Sequence, residues 1–210
     1  MLVSSLLITL FFAVYAIVHS LLASLGVKRW VWRIVGPESD RWYRLGYNIF
    51  ATITLLPLLP LLAWLPDRML YVAPSPWRWL MVVGQVLAIV GVGATLWQTG
   101  SLHFLGVAQL INPIPRESGS LTIDGFYSWV RHPLYFFSLI FIWLTPALTI
   151  NLLTTFLLFT LYFYVGSIYE EQRLLTEFGT AYRRYQQRVP RLIPGLHLGS
   201  PLKPGDERLG

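Results

Sequence analysis

Between Leu134 and Tyr169 the chain runs for 36 residues without a charged side chain. As one helix this tract would be about 54 Å long at 1.5 Å per residue, against a hydrocarbon layer of about 30 Å. It must therefore fold back on itself. Pro146 has no N–H to donate and Asn151 favours turns, so "TPALTIN" is the expected tip of a helical hairpin with a short first arm. Three further stretches, Met1–Leu25, Leu45–Leu65 and Leu80–Gly100, are also free of charge, and each is close to the roughly 20 residues that cross a bilayer. Charged residues make up only 12% of the chain, where a soluble domain carries about a quarter. The expected fold class is an all-α integral membrane protein of about five transmembrane helices, the last two a hairpin, with a cytoplasmic helical tail.

The formal charge is +6, and its placement says more than its sum. Fourteen of the sixteen Lys and Arg residues fall in the Gly26–Arg44 loop, the Ser101–Pro133 loop and the tail from Glu170; only Arg68 and Arg78 lie between the second and third apolar stretches. Basic residues stay on the cytoplasmic side, so the amino terminus is expected outside, with both loops and the carboxyl terminus inside. A bacterial inner membrane is the expected location, and no nucleic acid partner is expected. Met1–Leu25 has no basic leader, so it reads as a retained span. The absence of cysteine removes disulfides, zinc–thiolate sites and a cysteine nucleophile.

The chain thus reads as a single domain: three spans over 1–100, a cytoplasmic loop over 101–133, a hairpin over 134–169, a tail over 170–194 and a frayed end over 195–210. Trp30, Trp32, Trp42, Trp64, Trp77 and Trp79 sit near span ends, where indole rings prefer the headgroup level. Pro57 and Pro60 are expected to kink the second span. In the tail, Leu174, Phe178, Tyr182 and Tyr185 keep helical spacing, Gly179 interrupts the helix, and Pro190 and Pro194 end it.

"GFYSWVRHPLYFF" opens the hairpin. Proline suits the first helical position, so Pro133 marks a helix start with His132 at the cap. Free N–H groups and the forked guanidinium of Arg131 together favour an anion. Glu170 and Glu171 stand where the second arm leaves the membrane, and a hairpin returns them beside Arg131 and His132. Carboxylates at a membrane edge demand partners. Tyr127, Tyr135, Tyr182 and Tyr185 add aromatic donors nearby. A ligand that suits this set bears an anion, cations and a flat ring. S-adenosylmethionine, with its carboxylate, ammonium, sulfonium and adenine, meets that description.

These residues resemble the isoprenylcysteine carboxyl methyltransferase superfamily of integral membrane methyltransferases. The resemblance rests on "GFYSWVRHPLY" and "EEQRLLTEFGTAYRRYQQRVPRLIP", in that order and one hairpin apart, and covers roughly Thr122–Pro194. The earlier "HSLLASLGVKRWVWRIVGPESDRWYRL" and "HFLGVAQL" look more like the bacterial methanethiol S-methyltransferase branch. Members often place a glycine shortly after the His-Pro-x-Tyr element, where this chain has Phe136, Phe137 and Ser138. The resemblance implies S-adenosylmethionine as cofactor, in a pocket closed by the tail and lined by Arg131, His132, Glu171 and Tyr182. It also implies a lipophilic small-molecule or lipid-like substrate entering sideways from the bilayer.

Methyl transfer is an in-line displacement, so the site must chiefly align nucleophile, methyl and leaving sulfur. Arg131, His132 and Glu171 are the expected catalytic residues, within a cofactor set that adds Tyr127, Tyr135, Glu170, Tyr182 and Tyr185. A thiol is the first-ranked acceptor, a carboxylate the second and a lipid amine the third. His19, His103 and Gln109 are candidate substrate-facing residues; His197 is expected to be inert. The competing reading is a haem-binding isomerase of the zeta-carotene isomerase-like type, with His19 and His132 as axial ligands.

Overall fold

The computed structural model describes residues 1–100, 106–107 and 121–196. Helix α1, Leu2–Ala23, is the first uncharged stretch, and it stops where Ser24 turns extended and accepts a hydrogen bond from the Val27 N–H. That side-chain cap starts α2, Leu25–Val35, inside a segment expected as loop. Basic residues Lys28, Arg29 and Arg33 alternate here with Trp30, Trp32 and Ile34, and none of the helix is buried. Such a pattern suits a helix lying along a membrane interface. Helix α3, Ser39–Leu55, is tied back by an ion pair between Lys28 and Asp40 at 3.2 Å. The kink expected at Pro57 is present: α3 ends at Leu55 and α4, Leu58–Trp64, begins after Pro57.

Helix α5, Trp77–Thr99, lies close against α6, Pro133–Trp143. Gly91 allows this approach, because a Cβ there would meet the Phe137 ring at 2.5 Å. Helix α7 runs 39 residues, Ile150–Arg188, and packs on α1 through Ile8 and Phe12, whose ring meets Phe159 edge-on at 4.9 Å.

Two expectations need correction. The fold is mostly helical but not all-α: β1, Met69–Val72, pairs antiparallel with β2, Ala147–Thr149. The expected hairpin tip is therefore a strand that finds its partner 75 residues upstream, in register Val72 with Ala147. Asn151 is no turn residue. It sits in the first turn of α7, fully buried, with its N–H donating to Asp67 Oδ1 at 3.0 Å. As to spans, four helices are long and apolar enough to cross a membrane: Leu2–Ala23, the kinked Ser39–Trp64, Trp77–Thr99 and Ile150–Arg188. Helix α6, at 11 residues, is shorter. The protein is a multi-pass helical membrane protein.

Candidate functional site

The site grows from the segment before α6. A 3-10 turn, Gly125–Ser128, is clasped by Gln98 at the end of α5, which donates to the Asp124 carbonyl and accepts from the Phe126 N–H. Gly125 takes φ +59, where a Cβ would strike the Gln98 amide. Pro133 occupies the first turn of α6 and His132 the cap position, as the sequence leads one to expect. The backbone N–H groups of Arg131 and His132 donate to the carbonyls of Pro190 and Arg191 at 2.9 and 3.2 Å. The tail is thereby stitched to the start of α6.

Gly179 makes that possible. In a straight helix Glu171 and Gln186 would stand about 22 Å apart, yet Gln186 Nε2 donates to Glu171 Oε2 at 2.9 Å. The reversal occurs at Gly179, whose φ of 53° and ψ of −122° break the helix in a region that only glycine enters readily. The folded-back turn buries Tyr182, Tyr185 and Val189 against Leu121, Leu174, Leu175 and Phe178.

Glu171 is the centre of the resulting ionic cluster and is 3% exposed. Its Oε1 accepts from Arg131 Nε at 2.8 Å and Arg191 Nε at 3.2 Å; Oε2 accepts from Arg191 Nη2 at 2.9 Å. His132 Nε2 lies 3.2 Å from Oε1. Arg131 is equally committed, donating through Nη1 to the carbonyls of Gln186 and Val189. The two residues expected to flank a ligand thus bond each other directly. Neither leaves an open face between them.

Glu170 differs. Its side chain is 39% exposed and is held by the Tyr135 hydroxyl at 3.2 Å and His132 Nδ1 at 3.3 Å, with the charge of Arg173 near it. His132 and Tyr135 stack at 5.4 Å, and Tyr135 stacks in turn on Phe163 at 5.0 Å. Burial alone would lower the His132 pKa, but hydrogen bonds and charge from Glu170 and Glu171 hold it above the ordinary histidine value. Burial, helped by the negative charge of Glu170, pushes the Tyr127 phenol up to about 12. Tyr185 donates to the Tyr127 carbonyl at 2.6 Å. The Tyr182 hydroxyl is buried without a hydrogen-bond partner among the described residues, which is unfavourable unless something supplies one. A half-buried carboxylate bonded to Tyr135, with the unsatisfied Tyr182 hydroxyl in the same cluster, fits a cationic ligand with polar atoms of its own.

Arg131, His132, Tyr135, Glu170 and Glu171 are therefore in direct contact, with Tyr127, Tyr182 and Tyr185 around them. Sequence reasoning missed Arg191 and Gln186, and the signal was present in their position just beyond the Gly179 break. His19 is elsewhere, between α1, α3 and α7, with Nε2 2.6 Å from the Tyr47 hydroxyl and Nδ1 3.3 Å from that of Tyr15. Both ring nitrogens of His19 and of His132 are engaged, so the pair of axial haem ligands considered above has no open coordination position. His103, Gln109 and His197 lie outside the described residues. Behind Phe163, an apolar cavity of about 200 Å³ opens between α5, α6 and α7, with Ser138 as its polar lining residue.

The family described as "Protein of unknown function (DUF1295)" matches residues 39–189, which include the ionic cluster up to Val189. A methanethiol S-methyltransferase of Pseudomonas deceptionensis is 34% identical over 203 residues, 93% of this chain and 73% of that protein. Its counterpart in Pseudomonas sp. (strain GM41(2012)) is 33% identical over 92% of this chain and 73% of its own length. That of Mycobacterium tuberculosis is 32% identical over 88% and 75%. No solved structure matches. The chain belongs to the DUF1295 family, together with the methanethiol S-methyltransferases, within the isoprenylcysteine carboxyl methyltransferase-like superfamily.

Proposed function

We propose that this protein is a membrane methyltransferase that uses S-adenosylmethionine to methylate a thiol. Its family and the names of its relatives support the reaction class. The observation that carries the site is the contrast between Glu171, saturated and buried, and Glu170, open beside Tyr135 and near Tyr127.

In this reading Glu170 and the two tyrosine rings receive the positive charge of the donor, and the Tyr182 hydroxyl gains its missing partner. Arg191, 21% exposed, takes the donor carboxylate. Arg131, His132 and Glu171 hold the tail closed over the pocket and exclude water, which strengthens every charge interaction inside. When bound, S-adenosylmethionine supplies an activated methyl group on a sulfonium sulfur. In a dry site an anionic sulfur nucleophile cancels the donor's charge as it reacts, which is favoured there, whereas a neutral thiol has also to lose its proton.

The relatives are named for methanethiol, and the acceptor here is a small or lipophilic thiol, with a carboxylate as second choice. The apolar cavity by Phe163 offers it a way in from the bilayer. In the accompanying topology α6 and α7 form a hairpin, the amino terminus is outside, and the Glu170 end and tail face the cytoplasm of a bacterial inner membrane. The test is transfer of labelled methyl from S-adenosylmethionine to a panel of thiols, prenylcysteine analogues and lipids in detergent. Transfer to at least one thiol, abolished by Glu171→Gln, is expected; transfer to none of the panel refutes the reading.

A further inference from the structure

Methylating a thiol releases a proton, and in the reading above Glu170, the open carboxylate of the cluster, is committed to the donor's positive charge. Arg131, Arg191 and Gln186 are donors, Glu171 is saturated, and His132 is held between two carboxylates. A second polar group lies deeper in the bundle. His19 sits in α1, a helix with no charged residue, where an ionisable side chain is unfavourable without a purpose. It is flanked on both ring nitrogens by tyrosine hydroxyls from two helices, Tyr47 of α3 at 2.6 Å and Tyr15 of α1 at 3.3 Å.

A chain of rings joins this group to the proposed donor site. The His19 ring meets Tyr162 of α7 edge-on at 5.9 Å, and Tyr162 leads through Phe163 and Tyr135 to His132 by successive ring contacts of 6.5, 5.0 and 5.4 Å. Tyr47 and Tyr162 are close enough to interact electrostatically with the Tyr135 phenol that bonds Glu170. Phe163, within that chain of rings, also lines the apolar cavity by which the thiol enters.

We propose that the Tyr47–His19 pair takes the acceptor's proton, with Tyr47 touching the thiol and His19 receiving the proton behind it. The inference rests on the methyltransferase reading above. The S–H bond of the acceptor breaks and its proton passes to the Tyr47 oxygen, while the Tyr47 proton passes to His19 Nε2. The sulfur lone pair so freed forms the new S–CH3 bond. The bond from methyl to the sulfonium sulfur of the donor breaks, and its electron pair returns to that sulfur. One positive charge is present before the step, on the sulfonium, and one after it, on the imidazolium. A low-dielectric site is therefore not asked to hold any extra charge. Nδ1–H stays bonded to the Tyr15 oxygen and fixes the ring, a common arrangement for a working imidazole.

The test compares an alkanethiol, protonated near neutral pH, with an aromatic thiol that is already ionised, for wild type, Tyr47→Phe and His19→Gln in detergent. For both variants kcat with the alkanethiol should fall on the order of 10²-fold, while kcat with the ionised thiol changes by less than about threefold. A readout without donor accompanies it: alkanethiol binding to Tyr47→Phe should weaken by about fivefold, for the loss of one hydrogen bond. Equal losses with both thiols, or unchanged alkanethiol binding, would overturn the proposal while leaving the methyltransferase reading intact. If wild type methylates neither thiol, that reading falls and takes this one with it.

Discussion

The two ends of α7 are held in opposite ways. At its start, Asn151 is fully buried among neutral partners and one carboxylate: its Nδ2 reaches the Leu65 and Pro66 carbonyls at 3.5 and 3.4 Å, and its N–H meets Asp67. Two short strands, paired through backbone groups, complete that end. At the far end, Glu171 gathers two arginines, a histidine and a glutamine. Backbone pairing needs no particular side-chain chemistry and serves as a permanent clasp. A buried ionic cluster is a poor way merely to gain stability, because desolvation offsets most of its attraction. Where a chain spends four donors on one carboxylate and leaves its neighbour Glu170 open, the end so built is the one with chemistry to perform.

The sharpest way to break this contrast is Glu171→Gln, which strands Arg131 and Arg191 against a neutral amide. Removing one partner of a buried pair costs about 3 to 5 kcal/mol, so thermal unfolding in detergent should show a large drop, with methyl transfer lost. Gly179→Val comes next. A β-branched residue at φ +53 is strained by about 1 to 3 kcal/mol, and the expected outcome is a tail that opens, seen as faster proteolysis after Arg183 or Arg184. Asn151→Ala should be milder, about 1 kcal/mol, since its side-chain bonds are long and Oδ1 already lacks a partner among the described residues. It should leave donor affinity unchanged, which separates the two ends.

The smallest effect is that of pH. The raised pKa of His132 means that its charge contributes stability in full below the unfolded histidine value, and that this contribution disappears as pH rises through the folded value. Melting temperature should therefore fall across that upper window in wild type and less in His132→Gln. A flat profile in wild type would show that the His132 contacts to Glu170 and Glu171 do not depend on its charge.

Much of the charged end was legible because its parts announce themselves. Pro133 fixes a helix start, Gly179 marks a break, and an uncharged tract too long to cross once must return Glu170 and Glu171 to Arg131. Spacing could not show that Arg131 and Glu171 would bond each other, since that depends on where a kinked helix brings Gln186 and Arg191. The neutral end was harder. Met69–Val72 and Ala147–Thr149 are too short to carry a periodic signal, and strand pairing across 75 residues leaves no local trace. The helix Leu25–Val35 was hidden by its charges, which read as loop until Ser24 is seen as its cap.

In the proposed site Glu170 is the open, ligand-facing carboxylate. Equilibrium binding of labelled S-adenosylmethionine to detergent-solubilised wild type and Glu170→Gln tests this most directly. Saturable binding by wild type, weakened at least about tenfold in a variant that still unfolds in one cooperative transition, is the predicted result, for loss of one charge-assisted contact. Equal affinity in the two proteins would contradict it.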